Sequence, residues 1–237
     1  MTDASLGTLY GISVGPGDPE LLTLKGLRIM QQVPVIAFPQ GIGDRPGIAH
    51  TIAQQWLKPG QIQLPLSFPY VQDNTELELA WQQAAEIAWN YLHQGQDIGF
   101  ICEGDISFYS TFTYLTQTLQ QQHPKIRIQT IPGISSPMAS AAALGIPLTV
   151  RSQRLTILPA LYSMADLETS IQASDVIVLM KMSSVYDQIW TVLQRHDLLH
   201  SSHVVEWATH PQQKIYKGLR DRPHLKLSYF SIKIIQC

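Results

Sequence analysis

Apolar residues along this chain fall into short unbroken runs separated by glycine, proline and small polar residues. The first run, Leu9-Tyr10-Gly11-Ile12-Ser13-Val14, lacks the apolar–polar alternation of a half-exposed strand. It fits a strand buried on both faces, as in a parallel sheet. Leu24–Met30 follows, with apolar positions at helical spacing. Val33–Phe38, Ile62–Leu66, Ile98–Cys102 and Ile126–Ile131 read as further strands, and Pro46–Leu57 as a helix. The clearest helix runs from Asn74 to His93. Asn74 stands where a cap belongs, Glu76 and Glu78 favour the positive end of the dipole, and Gly95 lies just past the end. Leu77, Ala80, Trp81, Ala84, Ala88, Tyr91 and Leu92 form its apolar stripe. Strand and helix alternating in this way predict an α/β domain with a mostly parallel, doubly wound sheet.

After Pro147 the texture changes. Leu155–Leu158, Val176–Met180, Val204–Trp207, Ile215–Leu219 and Tyr229–Ile235 read as strands, with Ser184–Leu199 the one convincing helix among them. Strands with few helices between them predict an α+β domain carrying a mixed sheet. The expected division is residues 1–134 and 135–237. Ser135–Gly145, rich in Ala and Ser, reads as a small-residue helix packed between the halves.

Composition narrows the function classes. Charged residues are 14% of the 237 and the net charge is −2, so there is no basic field to hold a nucleic acid. The two cysteines, Cys102 and Cys237, make no metal or redox pair and fit a reducing cytoplasm. The first residues lack the basic and apolar segments of a secretory signal. No apolar stretch approaches the roughly 18–20 residues of a membrane helix. A soluble, cytoplasmic protein with no membrane partner is expected.

Four loops gather the chemistry. Val14-Gly-Pro-Gly-Asp-Pro-Glu-Leu-Leu-Thr23 joins a strand to a helix, where open α/β sheets place ligands. It lacks GxGxxG, Pro16 has no N–H, and Asp18 would repel a phosphate, so the turn suits a ligand without phosphates. Alone, it reads better as a tight turn capped by Asp18 or Thr23. Glu103-Gly-Asp-Ile-Ser-Phe-Tyr-Ser-Thr111, Ile131-Pro-Gly-Ile-Ser-Ser136 and Glu206-Trp-Ala-Thr-His-Pro211 each follow a strand in the same manner.

On these four segments, with Leu144-Gly-Ile-Pro-Leu148, the chain resembles the tetrapyrrole methylase family from Leu9 to about Ile235. These are the class III S-adenosylmethionine methyltransferases of cobalamin and siroheme biosynthesis. The Glu-Gly-Asp-x-x-Phe-Tyr-Ser-Thr form and the strand end Ile36-Ala-Phe-Pro39 are most similar to members that methylate C20 of precorrin-2. The resemblance implies two α/β domains around a cofactor cleft, a homodimer, a tetrapyrrole substrate and S-adenosylmethionine as methyl donor.

It also implies a cofactor site. Pro16 matches the opening turn, Gly104, Asp105 and Phe108 the loop beside the donor, and Ser135 and Ser136 the hydroxyl pair after Pro-Gly. Met180 matches the apolar residue near the adenine, and Ala208 and Thr209 the loop reading its edge. Two positions depart from the pattern. Ile106 stands where proline is expected, which implies a looser cofactor loop. Trp207 replaces the arginine of Glu-Arg-Ala-Thr, which removes a charge able to reach a substrate carboxylate.

A sulfonium methyl donor is already activated, so the reaction calls for alignment rather than a metal or a covalent intermediate, and orientation can supply roughly 7–11 kcal/mol. Asp18, Asp105 and Tyr109 are the candidates to accept the departing meso proton. Arg45, Arg151, Arg154 and Lys181 are candidates for the substrate carboxylates, though each reads equally as a solvated surface charge. His196, His200, His203 and His210 have a loosely metal-like spacing without partner ligands, and no metal is expected. Two rival readings remain at this stage: a family member with another substrate, and a tetrapyrrole-binding module without catalysis.

Overall fold

Two compact units make up the computed structural model, Met1–Ile134 and Ser135–Cys237. It describes residues 6–41, 46–69, 71, 73–161 and 163–237. Arg45 lies outside the described residues.

In the first unit the strands are β1 (Thr8–Ser13), β2 (Val35–Pro39), β3 (Ile62–Leu66), β4 (Ile98–Cys102) and β5 (Arg127–Ile131). Between them run α1 (Leu24–Met30), α2 (Ile48–Ala53), α3 (Asn74–Leu92) and α4 (Phe112–Gln122). The sheet order is β3-β2-β4-β1-β5, and every pair is parallel. Successive side chains on each strand feed opposite faces. Leu9, Val35, Ala37, Ile98 and Phe100 meet Ala84, Ala88 and Leu92 of α3 and Phe112 and Leu115 of α4. Ile12, Ile36, Ile101 and Ile131 meet Ile29 and Met30 of α1 and Ala49 and Ile52 of α2. Each such side chain, fully buried, contributes roughly 1.5–3 kcal/mol of transfer free energy.

The two cores also fix where a ligand can sit. The chain leaves β1 toward the α1/α2 face and leaves the neighbouring β4 toward the α3/α4 face. Adjacent strands sending their connections to opposite faces define a topological switch point, with a crevice at their carboxyl ends.

The second unit contains α5 (Ser136–Leu144), β6 (Leu155–Leu158), α6 (Met164–Ala173), β7 (Val176–Met180), α7 (Tyr186–Arg195), β8 (Ser202–Glu206), β9 (Lys214–Lys217) and β10 (Ser231–Gln236). Its sheet is mixed, in the order β6-β7-β10-β8-β9. β6 is parallel to β7, whereas β10 is antiparallel to both its neighbours. The last strand of the chain thus occupies the middle of the sheet.

Several elements differ from the sequence reading. The cap of α3 is Asp73, whose carboxylate accepts the Glu76 N–H at 2.9 Å, so Asn74 is already helical. The helix at 184–199 is shorter, with a 3-10 turn over Ser183–Val185 and α7 ending at Arg195. α6 was absent from that reading because its buried stripe is sparse, only Leu167 and Ser170. Ser163 caps it, accepting the Ala165 N–H. α5 belongs to the second unit and packs on β8, β9 and β10.

Candidate active site

Past the ends of β1 and β4, Gly15 and Gly104 exchange backbone hydrogen bonds. The Gly104 N–H donates to the Gly15 carbonyl at 2.8 Å, and the Gly15 N–H to the Gly104 carbonyl at 3.3 Å. Their φ values are +78° and +70°, a region that side-chain-bearing residues enter at a cost. A Cβ placed on Gly104 would meet no atom within 4 Å. This loop therefore presents bare backbone to open space at the switch point.

Ser13, fully buried at the end of β1, joins the neighbouring loops. Its Oγ donates to the Ile131 carbonyl at 2.9 Å and accepts the Ile106 N–H at 2.8 Å. Asp105 makes the second link. One carboxylate oxygen accepts the Gly133 N–H at 2.6 Å, and the other accepts the N–H of Ser107 at 2.9 Å and also its hydroxyl. Partial burial disfavours the charge, but the donors from Gly133 and Ser107 outweigh it and hold the carboxyl below its usual range. Gly133 itself has no room for a side chain, since a Cβ there would lie 2.4 Å from that of Ser13. The sequence reading missed Ser13, and it expected Ile106 to loosen the loop. The Ile106 amide is instead bonded, and its side chain is buried among the α3/α4 core residues.

The other candidates of this unit divide. Pro16 is half-buried in the turn. Asp18 caps the 3-10 turn Pro19–Leu21 by accepting the Glu20 N–H at 2.8 Å. Thr23 caps α1 through the Gly26 N–H. Phe108 and Tyr109 meet edge to face with ring centres 4.6 Å apart, and Tyr109, at φ +54°, is exposed. Cys102 is not an exposed thiol: burial, with Glu103 nearby, pushes its pKa up.

In the second unit, Ser135 occupies the N-cap of α5 without using its side chain there, and Ser136 opens the helix. Met180 ends β7 and pairs with Ile232, which pairs in turn with Val205 of β8. Lys181 and the turn after β8 therefore emerge at one end of the sheet. Backbone strain concentrates there: Lys181, Trp207 and Thr209 all have positive φ, at +50°, +51° and +66°. Ala208 is buried between the two strained residues. Trp207 packs on Phe230 with ring centres 4.5 Å apart, and its backbone N–H donates to the Phe230 carbonyl. Buried Glu206 accepts the Ser228 N–H at 2.7 Å and the Tyr216 hydroxyl at 3.2 Å, so its carboxylate anchors this end.

Among the described residues, the basic candidates of the second unit are not brought together. Arg151 and Arg154 are exposed ahead of β6, and Leu155 pairs with Val176 at the start of β7. Four residues of strand, about 13 Å, separate that end from Met180 and Lys181. Among the described residues, no three His, Cys, Asp or Glu side chains are arranged to hold a metal. His196 is engaged by Glu168 at 2.5 Å. Among the described residues, no helix is long and apolar enough to cross a membrane.

An open α/β sheet with a glycine-lined crevice, followed by a mixed-sheet unit, is the architecture of a known enzyme class. Residues 8–222 match the model of the Tetrapyrrole (Corrin/Porphyrin) Methylases, and the chain belongs to that family. It is 33% identical over 230 residues to a probable cobalt-precorrin-2 C(20)-methyltransferase of Methanocaldococcus jannaschii, covering 96% of this chain and 95% of that protein. It is 30% identical over 240 residues to the cobalamin biosynthesis protein CobIJ of Mycobacterium bovis, covering 97% of this chain but only 46% of that longer protein. The fold matches the uroporphyrin-III C-methyl transferase of Thermus thermophilus, crystallised with S-adenyl homocysteine, with a TM-score of 0.67, 20% identity and 97% of each chain covered.

Proposed function

We propose that this protein transfers a methyl group from S-adenosylmethionine to C20 of precorrin-2 or of its cobalt-containing counterpart, in corrin biosynthesis. The similarity to the Methanocaldococcus jannaschii protein along nearly its whole length carries this reading. The site chemistry supports it. The switch-point loops offer backbone groups, and Gly104 places no side chain in the open space before them. A zwitterionic amino-acid end can be held by such groups without burying an unpaired charge.

The proposed donor contacts in the first unit are Pro16, Gly104, Asp105 and Phe108. Those in the second unit are Ser135, Ser136, Met180, Ala208 and Thr209. During transfer the C–S bond breaks as the new C–C bond forms at the meso carbon. The sulfonium becomes a neutral thioether, and the meso C–H proton then leaves. Asp18 and Asp105 already spend their carboxylates on backbone donors, whereas Tyr109 presents an exposed hydroxyl at the loop tip. Tyr109 is therefore the proposed route for that proton. Of the basic candidates, Lys181 is proposed to meet a substrate carboxylate. The protein is proposed to act as a cytoplasmic homodimer.

Mass spectrometry of the tetrapyrrole after incubation with methyl-labelled S-adenosylmethionine tests the reaction. Gain of one labelled methyl on precorrin-2 or on cobalt-precorrin-2 is expected, and the relative rates identify the preferred ring. No gain on either ring would refute the substrate assignment.

A further inference from the structure

Buried Ser13 bridges strands whose bonded residues lie 118 apart in sequence and also holds the loop between them. Its hydroxyl receives a hydrogen from Ile106 and gives one to Ile131, so the end of β1 is stitched to the loop after β4 and to the end of β5. These are the segments that carry Gly104, Asp105 and Gly133. The Ile106 N–H, two residues beyond Gly104, exists because position 106 is not proline. It is buried and donates to Ser13 Oγ at 2.8 Å.

We propose that Ser13 is a positioning residue of the donor site and that Ser13 and Ile106 work as a matched pair, the hydroxyl fixing the loop through the Ile106 N–H. The proposal rests on the S-adenosylmethionine reading above. Two physical constraints make the pair specific. Removing the hydroxyl strands the buried Ile106 N–H, and an unsatisfied buried donor is costly. Installing proline at 106 while the hydroxyl remains sets a ring carbon where the amide hydrogen was, against an oxygen only 2.8 Å from that nitrogen. Each single change is therefore unfavourable for a reason that the other removes. Gly133 adds a third: a Cβ there would lie 2.4 Å from that of Ser13, so only glycine at 133 lets the loop after β5 close on the Ser13 side chain.

The test is a double-mutant cycle read by calorimetric titration with S-adenosylhomocysteine and by thermal midpoint. Ser13→Ala is expected to weaken binding about tenfold and Ile106→Pro by more. In Ser13→Ala/Ile106→Pro the affinity is expected to return to within about threefold of the wild type, even though the lost isoleucine side chain lowers the thermal midpoint. A purely structural role would instead make affinity loss follow stability loss in all three variants. Affinity losses that simply multiply, or a folded Ser13→Ala that binds as tightly as the wild type, would overturn the pairing. A wild-type protein that binds no S-adenosylhomocysteine would overturn the donor reading itself. In that case amide hydrogen exchange at Ile106 separates the two failures, since a Ser13 lock slows exchange there with or without a ligand, and equal exchange in wild type and Ser13→Ala refutes it.

Discussion

Gly15 and Gly104 hold each other by reciprocal backbone hydrogen bonds beyond the point where their parallel strands end. Two left-handed residues turn the chains toward each other there, and Gly104 leaves uncovered backbone facing open space. The proposed donor site is thus a backbone surface, shaped by side chains that lie behind it.

Gly133 is one such support. Gly133→Ala sets a methyl group 2.4 Å from the Ser13 Cβ and forces the loop after β5 away from Asp105. A destabilisation of about 1–3 kcal/mol is expected, with S-adenosylhomocysteine affinity reduced more than tenfold. Denaturant unfolding and calorimetric titration check the two effects.

Asp105 clamps two segments with both carboxylate oxygens. Asp105→Asn turns an NH2 group toward either Gly133 or Ser107 and should cost about 1–3 kcal/mol. Because the folded-state carboxyl titrates below its usual value, its contribution is complete above the ordinary Asp pKa, near ~3.9. That contribution is lost as the pH falls through the folded value. The gap in thermal midpoint between wild type and Asp105→Asn should stay constant from pH 7 to 5 and close below about pH 4.

How much of this was legible in the sequence varies with the kind of residue. The strands Ile98–Cys102 and Val176–Met180 are unbroken apolar runs, Ile62–Leu66 and Leu155–Leu158 are apolar but for Gln63 and Thr156, and both sheets could be anticipated from such patterns. Gly104 and Asp105 stood out because they follow a buried strand. Ser13 gave no signal, since a serine inside an apolar strand becomes informative only when β4 and β5 are known to flank it. Arg154 and Lys181 both adjoin predicted strands, but only the register of β6 on β7 shows that they leave opposite ends of the sheet. Lys233 was read simply as part of a strand.

Tyr109 separates binding from turnover. Its hydroxyl is proposed to carry away the meso proton, so Tyr109→Phe should lower kcat by roughly 10²-fold, at the lower end of general acid–base effects. S-adenosylhomocysteine affinity should stay within twofold. Single-turnover kinetics set beside calorimetry makes the comparison.

Lys233 carries a cost that the fold tolerates. It is fully buried at the centre of the second sheet, its Nζ lacks a hydrogen-bond partner among the described residues, and it lies 4.2 Å from the centre of the Tyr186 ring. Burial pulls its pKa from 10.5 down to about 7. Between those values unfolding takes up a proton, so wild-type stability should rise with pH across that interval. Lys233→Met should stabilise the second unit by about 2–4 kcal/mol at pH 7 and below, with the gain shrinking toward pH 10. Urea midpoints across this range measure it.

The most direct test of the donor site is amide chemical-shift mapping during titration with S-adenosylhomocysteine. The account predicts saturable binding of one molecule per chain, with the largest first-unit shifts at Gly15, Gly104, Ile106 and Gly133. Absence of binding, or shifts that leave these four amides unmoved, would contradict it.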